Sequence, residues 1–256
     1  MTPEQQKELW LSFNRFVKSR EKYYYPKINK ALRQQVQQYI DSKDIDAITS
    51  AGLYDVLKPL YMDAGITYGA KVISYLRKQK ARQPIGFNKL MTDLINNFFR
   101  VDLLNMVENI TDYTKELIRN ILITAYPQGL SFNDIVKELQ KLSFTAARAR
   151  LIARTETVAA ANTGAHLAVK TTGIKHNKVW VAAHDNRTRR TPRDKFDHLH
   201  MDGVTIPEDD FFNVSGEILL FPGDRKHGAS AGNVINCRCT HGYVGVRDKN
   251  GRLIRV

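Results

Sequence analysis

Cys237 and Cys239 are the only cysteines in this 256-residue chain, and one arginine separates them. In an extended strand, residues i and i+2 point to the same side and lie about 6.6 Å apart. That separation is near the upper limit for a disulfide, and a cytosolic origin argues further against oxidation. Two thiolates on one side of a strand could instead hold Zn²⁺, with a histidine and a carboxylate or second histidine completing a tetrahedron. His198, His184, Asp185, His227 and His241 are available for that role. The CxC spacing is tighter than the usual CxxC knuckle. Two buried small hydrophobes therefore stand beside the metal clamp as a reading of the pair.

The same part of the chain gathers other polar groups. Arg154 and Glu156 lie in "ARTET", Asp185, Arg187 and Arg189 in "HDNRTRR", His198 in "DHLHMDG", and Asp224 in "FPGD". Arg154 with Glu156, and Asp185 with Arg187 and Arg189, are expected to form buried ion pairs that fix the loops of a small domain. A nuclease or other phosphoryl-transfer enzyme could use the same cluster, with His198 as base and an arginine against phosphate charge. No GxSxG, HExxH or Gly-rich phosphate loop accompanies it. The structural reading is preferred, and no residue is assigned as catalytic.

The chain carries 39 basic and 26 acidic residues, a formal net charge of +13. Such an excess points to a polyanionic partner, most often nucleic acid. No single Lys/Arg run marks a groove-reading helix, so the expected contact is to the DNA backbone, without sequence preference. Arg247, Lys249, Arg252 and Arg255 in the terminal "RDKNGRLIRV" are candidate phosphate contacts. No run of about 18 apolar residues spans a membrane. The opening "MTPEQQKELWLSF" lacks the pattern of a signal peptide, which implies a soluble chain in the cytoplasm at synthesis.

The elements that must position these groups divide into two regions. Residues 1–142 read as a helical region. Leu9, Phe13, Phe16 and Val17 form one stripe, and Ile28, Leu32, Val36 and Ile40 another, with Pro26 breaking or restarting the chain between them. Gly65 and Gly69 sit one helical turn apart and suggest close helix packing or a weak point. A bend falls in "FNKLMTDLINNFFRVDLLNMVENI". Thr111 is the expected N-cap of the helix after it, and Ser131 with Asp134 resembles a capping box. Residues 143–256 open with the alanine-rich "FTAARARLIARTETVAAANTGAHLAVKTTG", a long helix closed by Gly173. "NKVWVAAHD", "EILLFPGD" and "GVTI" follow as strands, and a terminal hairpin turns at "DKNG". The fold class is α+β: helices first, then one long helix packed on a short antiparallel sheet.

Taken together, "LIARTETVAAANTGAHLAVKTTGIKHNKVWVAAHDNRTR", then a histidine before "DG", then "FPGD", then "NVINCRC" resemble the phage Mu F-like head-morphogenesis family. The resemblance covers roughly residues 131–240. The sequence departs from the family pattern where "RTPRDKF" is interposed, so that His198 lies nine residues after Arg189. His198 is chosen because it lies five residues before Gly203, with His200 as the fallback. The resemblance implies a non-enzymatic minor head protein of a tailed phage or prophage, in the virion and in the host cytoplasm during assembly. Its implied partners are the portal protein, a capsid or scaffold protein, and packaged DNA. Its implied role is in head assembly or early DNA delivery. The N-terminal helices would dock on portal or capsid, and a structural zinc is the one cofactor the cysteines suggest.

Overall fold

The computed structural model describes residues 1–77, 85–99, 102–141 and 146–256. Six longer helices precede and surround a small sheet. They are α1 (Pro3–Ser42), α2 (Ala51–Arg77), α3 (Phe87–Phe99), α4 (Asp102–Ala125), α5 (Phe132–Lys141) and α6 (Ala146–Lys170). Strands β1 (His176–Val181), β2 (Thr205–Pro207) and β5 (Thr240–Gly245) form an antiparallel sheet in the order β2-β1-β5. Strands β3 (Phe212–Val214) and β4 (Glu217–Leu219) make a separate hairpin, and the one-turn helix α7 (Ala231–Val234) lies between β4 and β5. The α+β class expected from the sequence is the observed one.

Helix α1 starts with a full capping box. The Thr2 hydroxyl accepts from Gln5 N, and the Gln5 side chain accepts from Thr2 N. It runs unbroken through Pro26, contrary to the expected interruption. Pro26 removes the N–H that would bond to the carbonyl of Lys22, and both residues lie on the exposed side of the helix. Solvent there can take the freed carbonyl, while Tyr24 and Ile28 stay anchored in the core. Thr111 also departs from expectation. It is buried in the middle of α4, where its hydroxyl donates to Val107 O and accepts from Gln35 Nε2 at 2.8 Å. A tertiary partner thus replaces the cap role that its residue type suggested. Ser131 does cap α5, its Oγ accepting from Asp134 N.

Helix α6 is the centre of the molecule. From Thr155 to Val169 every residue is buried, which its Ala, Gly and Thr side chains permit by occupying so little width. Gly65 of α2 meets Gly164 of α6 backbone to backbone, since a Cβ built on Gly164 would fall onto the Gly65 carbonyl group. One turn on, a Cβ at Gly69 would lie 2.8 Å from Gly164 O. The two glycines therefore serve close helix packing. One hydrophobic cluster runs from Phe13 of α1 through Leu57 and Leu60 of α2 and Ala160 of α6 to Tyr243 of β5. The expected division between 1–142 and 143–256 falls at residues outside those described, and this packing is continuous across it. The bend was expected somewhere within residues 87–110; the described residues there belong to α3 and α4, and residues 100–101 between them lie outside those described.

Beyond α6, Gly173 adopts φ +62° and ends the helix, and the chain enters β1. Trp180 of β1 faces His241 of β5 in register, and Val179 faces Thr205 of β2. The β3 hairpin strand went unseen in the sequence. Its three residues, Phe212, Asn213 and Val214, are too few to show alternation. At the C-terminus Gly251 N donates to Asp248 O, and Arg247 bridges Leu253, so the hairpin turns at "DKNG" as expected. Among the described residues, no helix is long and apolar enough to cross a membrane.

Candidate metal centre and basic cleft

The two cysteines do not lie in a strand. Asn236 takes a left-handed backbone conformation, φ 60°, after α7, and Cys237–Cys239 form the bend that leads into β5. The bend still turns both sulfurs to one side. Cys237 Sγ lies 3.5 Å and Cys239 Sγ 3.6 Å from Nδ1 of His198. All three side chains are buried, and both thiols are free. His200, two residues on, is exposed and takes no part. His184, Asp185, His227 and His241 also stay out, since no further His, Cys, Asp or Glu among the described residues joins the group.

The geometry of the imidazole is set from behind. Asn233 Nδ2 donates to Glu217 Oε2 at 3.1 Å, so its Oδ1 is free to accept, and His198 Nε2 lies 2.7 Å from that oxygen. Nε2 therefore carries the proton and Nδ1 presents its lone pair to the sulfurs. Trp180 packs edge-on against the ring, with centroids 5.5 Å apart. Backbone amides complete the surroundings: Ala183 N donates to Cys239 Sγ and Cys239 N to Cys237 Sγ, each at 3.4 Å. The hydrogen bond from Cys239 holds the Cys237 thiol well below its ordinary pKa, against the opposing push of burial and with help from His198. Burial, then the bond and charge of Cys237, push Cys239 well up.

The expected ion pairs form with different partners. Arg154 does not meet Glu156, because residues two apart on a helix diverge. Arg154 instead grips Glu21 of α1 with two bonds, of 2.9 and 2.8 Å, and reaches Asn236 Oδ1 at 2.9 Å. Buried Glu156 accepts from Arg225 at 3.1 Å and from the Tyr61 hydroxyl at 2.5 Å. Asp185 takes two bonds from Arg238, of 3.1 and 2.8 Å, with Arg187 3.6 Å away. Burial raises the Asp185 pKa, but the Arg238 and Arg187 contacts outweigh it and leave the carboxyl below its usual range. Arg189 does not join Asp185 and donates to the carbonyls of Asn233 and Ile235, pinning the end of α7. Asp224 accepts from Leu220 N and Lys226 N and bonds His227 Nδ1 at 2.7 Å, which closes the "FPGD" turn.

Two adjoining clefts lie over this network. One, of about 470 Å³, is lined by Lys18, Lys22, Arg150 and Arg154; the other, of about 380 Å³, by Arg189, Arg193 and the three residues of the His–Cys group. Arg187 and Arg238 line both. This concentration of cations was not legible in the sequence, because its members come from α1, α6, the loop after β1 and the segment before β5. The tail candidates Arg247, Lys249, Arg252 and Arg255 are exposed, and Arg247 is partly engaged by Gly251 O at 2.6 Å.

Residues 116–241 match the family model of Phage Mu protein F like protein. The chain is 30% identical over 183 residues to Minor head protein GP7 of Bacillus phage SPP1, covering 67% of this chain and 56% of that protein. It is 31% identical over 129 residues to Uncharacterized protein YqbB of Bacillus subtilis (strain 168), covering 49% of this chain and 40% of that protein. The chain thus spans about half the length of these relatives. No solved structure gives a significant match. The matched segment holds α5, α6, β1, β2, the start of β5 and the whole His–Cys group, and by that match and the head-protein relative the chain belongs to the Phage Mu protein F like family of phage head proteins.

Proposed function

We propose that the protein is a non-enzymatic minor head protein that sits at the portal vertex and contacts packaged DNA through its basic cleft. The observation that carries the DNA contact is the pair of joined clefts, with Lys18, Lys22, Arg150, Arg187, Arg189 and Arg193 along them. A surface of this kind attracts a polyanion by backbone charge and reads no sequence. The name of the SPP1 relative supports the head-protein part. The N-terminal helices dock on portal, capsid or scaffold protein, and the basic tail adds a weaker phosphate contact. The protein then belongs to the virion, and to the host cytoplasm during assembly.

The competing reading is a nuclease. Two observations weigh against it: Asp185 is held by Arg238, and the lone pair of His198 faces sulfur rather than the cleft. Neither is placed as a general base. Supercoiled plasmid incubated with the protein and Mg²⁺, Mn²⁺ or Zn²⁺ should stay intact. Nicking that disappears in the Asp185→Asn variant would replace this reading with the enzymatic one. Recovery of the protein with portal protein from purified particles tests the location, and its absence from particles contradicts it.

A further inference from the structure

We propose that His198 Nδ1, Cys237 Sγ and Cys239 Sγ form a zinc centre of three protein ligands whose fourth position opens into the arginine-lined cleft. Zn–N bonds of about 2.0–2.1 Å and Zn–S bonds of about 2.3 Å, at the tetrahedral angle, place nitrogen and sulfur about 3.5 Å apart. The two N···S distances here are 3.5 and 3.6 Å. Both N···S distances thus match a zinc tetrahedron, and all three ligand atoms lie within 4.8 Å of one another.

The alternative, two thiols in an apolar core, fits the hydrogen bonding poorly. Nδ1 has one lone pair and can take one S–H, yet it is nearly equidistant from two sulfurs. The supporting shell is also that of a ligand. Metal-bound histidines almost always donate their other N–H to a fixed acceptor, as Nε2 does to Asn233, itself held by Glu217. The N–H bonds to both sulfurs suit thiolates. Soft sulfur with imidazole selects zinc over the hard cations.

The fourth corner has no protein candidate among the described His, Cys, Asp and Glu residues. The three ligand residues line the 380 Å³ cleft, together with Arg187, Arg189, Arg193 and Arg238. Water holds that corner in the free protein, and an anion drawn in by the arginines displaces it. The centre stands independently of the head-protein reading. Whether its water also hydrolyses phosphate esters is what the plasmid assay decides.

The test uses the full chain, purified without chelator or histidine tag. Elemental analysis should find about one zinc per chain, and the Co²⁺-substituted protein should show thiolate charge-transfer bands and tetrahedral d–d bands. Cys237→Ser and His198→Ala should lose the metal, and His200→Ala should keep it. If the first two variants fail to fold, the wild-type cobalt spectrum still decides. Inorganic phosphate should shift the d–d bands, and Arg187→Ala should weaken that shift while metal content stays the same. Protein that neither carries zinc nor takes up Co²⁺ overturns the centre. A cobalt spectrum indifferent to phosphate overturns the open fourth position.

Discussion

His198 Nε2 lies 2.7 Å from Asn233 Oδ1, and this bond decides which nitrogen of the ring meets the two sulfurs. Asn233 is fully buried and joins Glu217 and Val214 O to the histidine. In Asn233→Ala the buried His198 N–H loses its partner, and Glu217 loses one bond while keeping those from Ser230. Stability in urea should fall by about 1–3 kcal/mol, and Co²⁺ affinity by about 10–100-fold. Unchanged unfolding would show that the ring is held by packing alone.

Gly164 and Gly52 are both helical glycines, with opposite expectations. A Cβ at Gly164 falls on the backbone of Gly65, whereas one at Gly52 finds ordinary contacts, 3.5 Å from Gln34 Oε1. Gly164→Ala should destabilise by at least about 1–3 kcal/mol through overpacking. Gly52→Ala should stabilise by about 0.4–1 kcal/mol, by restricting the unfolded chain. Thermal unfolding of the two variants side by side is the check, and equal effects would mean that α2 and α6 do not cross at this point.

His166 and His241 flank the buried Tyr243 hydroxyl at 3.2 and 2.8 Å. Burial, with Lys170 and Lys178 nearby, pushes His166 down to about 3. Burial, with His166 and Lys178, also pushes His241 well down. Both are neutral in the fold and protonate near pH 6.5 when unfolded. Their stabilisation is therefore complete above about pH 6.5 and is lost as pH falls toward their folded values. The slope approaches about 1.4 kcal/mol per pH unit for each histidine. Chemical unfolding at pH 7.5, 6.0 and 5.0 should show this decline, and His166→Gln should flatten it. A level profile from 7.5 to 5.0 would contradict the neutral assignment.

Helix α6 packs between α1 and α2 in one hydrophobic cluster, although the sequence suggests a boundary just before it. Co-expressed fragments 1–142 and 143–256 should therefore copurify as one complex. Fragments that fold separately and elute apart would instead establish two independent domains.

The α+β order and the long small-residue helix were legible because each rests on local spacing, whereas the choice of His198 among five candidate partners of the cysteines came from the family resemblance. Partner choice was not legible. Arg154 pairs with Glu21, and Asp185 with Arg238, across separations that only the tertiary fold closes. Pro26 failed as a breaker because its missing bond lies on the solvent side of α1. Thr111 failed as a cap because Gln35 claims its hydroxyl. The basic cleft assembles residues from 18 to 238, and no linear charge run announced it.

DNA binding through that cleft is tested most directly by two variants that each remove four positive charges. One replaces Lys18, Lys22, Arg150 and Arg187 with alanine; all four are exposed, so the fold should tolerate the change. The other replaces Arg247, Lys249, Arg252 and Arg255. In a filter-binding titration of duplex DNA between about 50 and 200 mM salt, wild-type affinity should fall steeply. The cleft variant should bind far more weakly, with a log–log salt slope reduced by about 0.9 for each lost phosphate contact. The tail variant should keep most of its affinity. Equal losses in the two variants, or no wild-type binding at low salt, would contradict the cleft as the DNA-contacting surface.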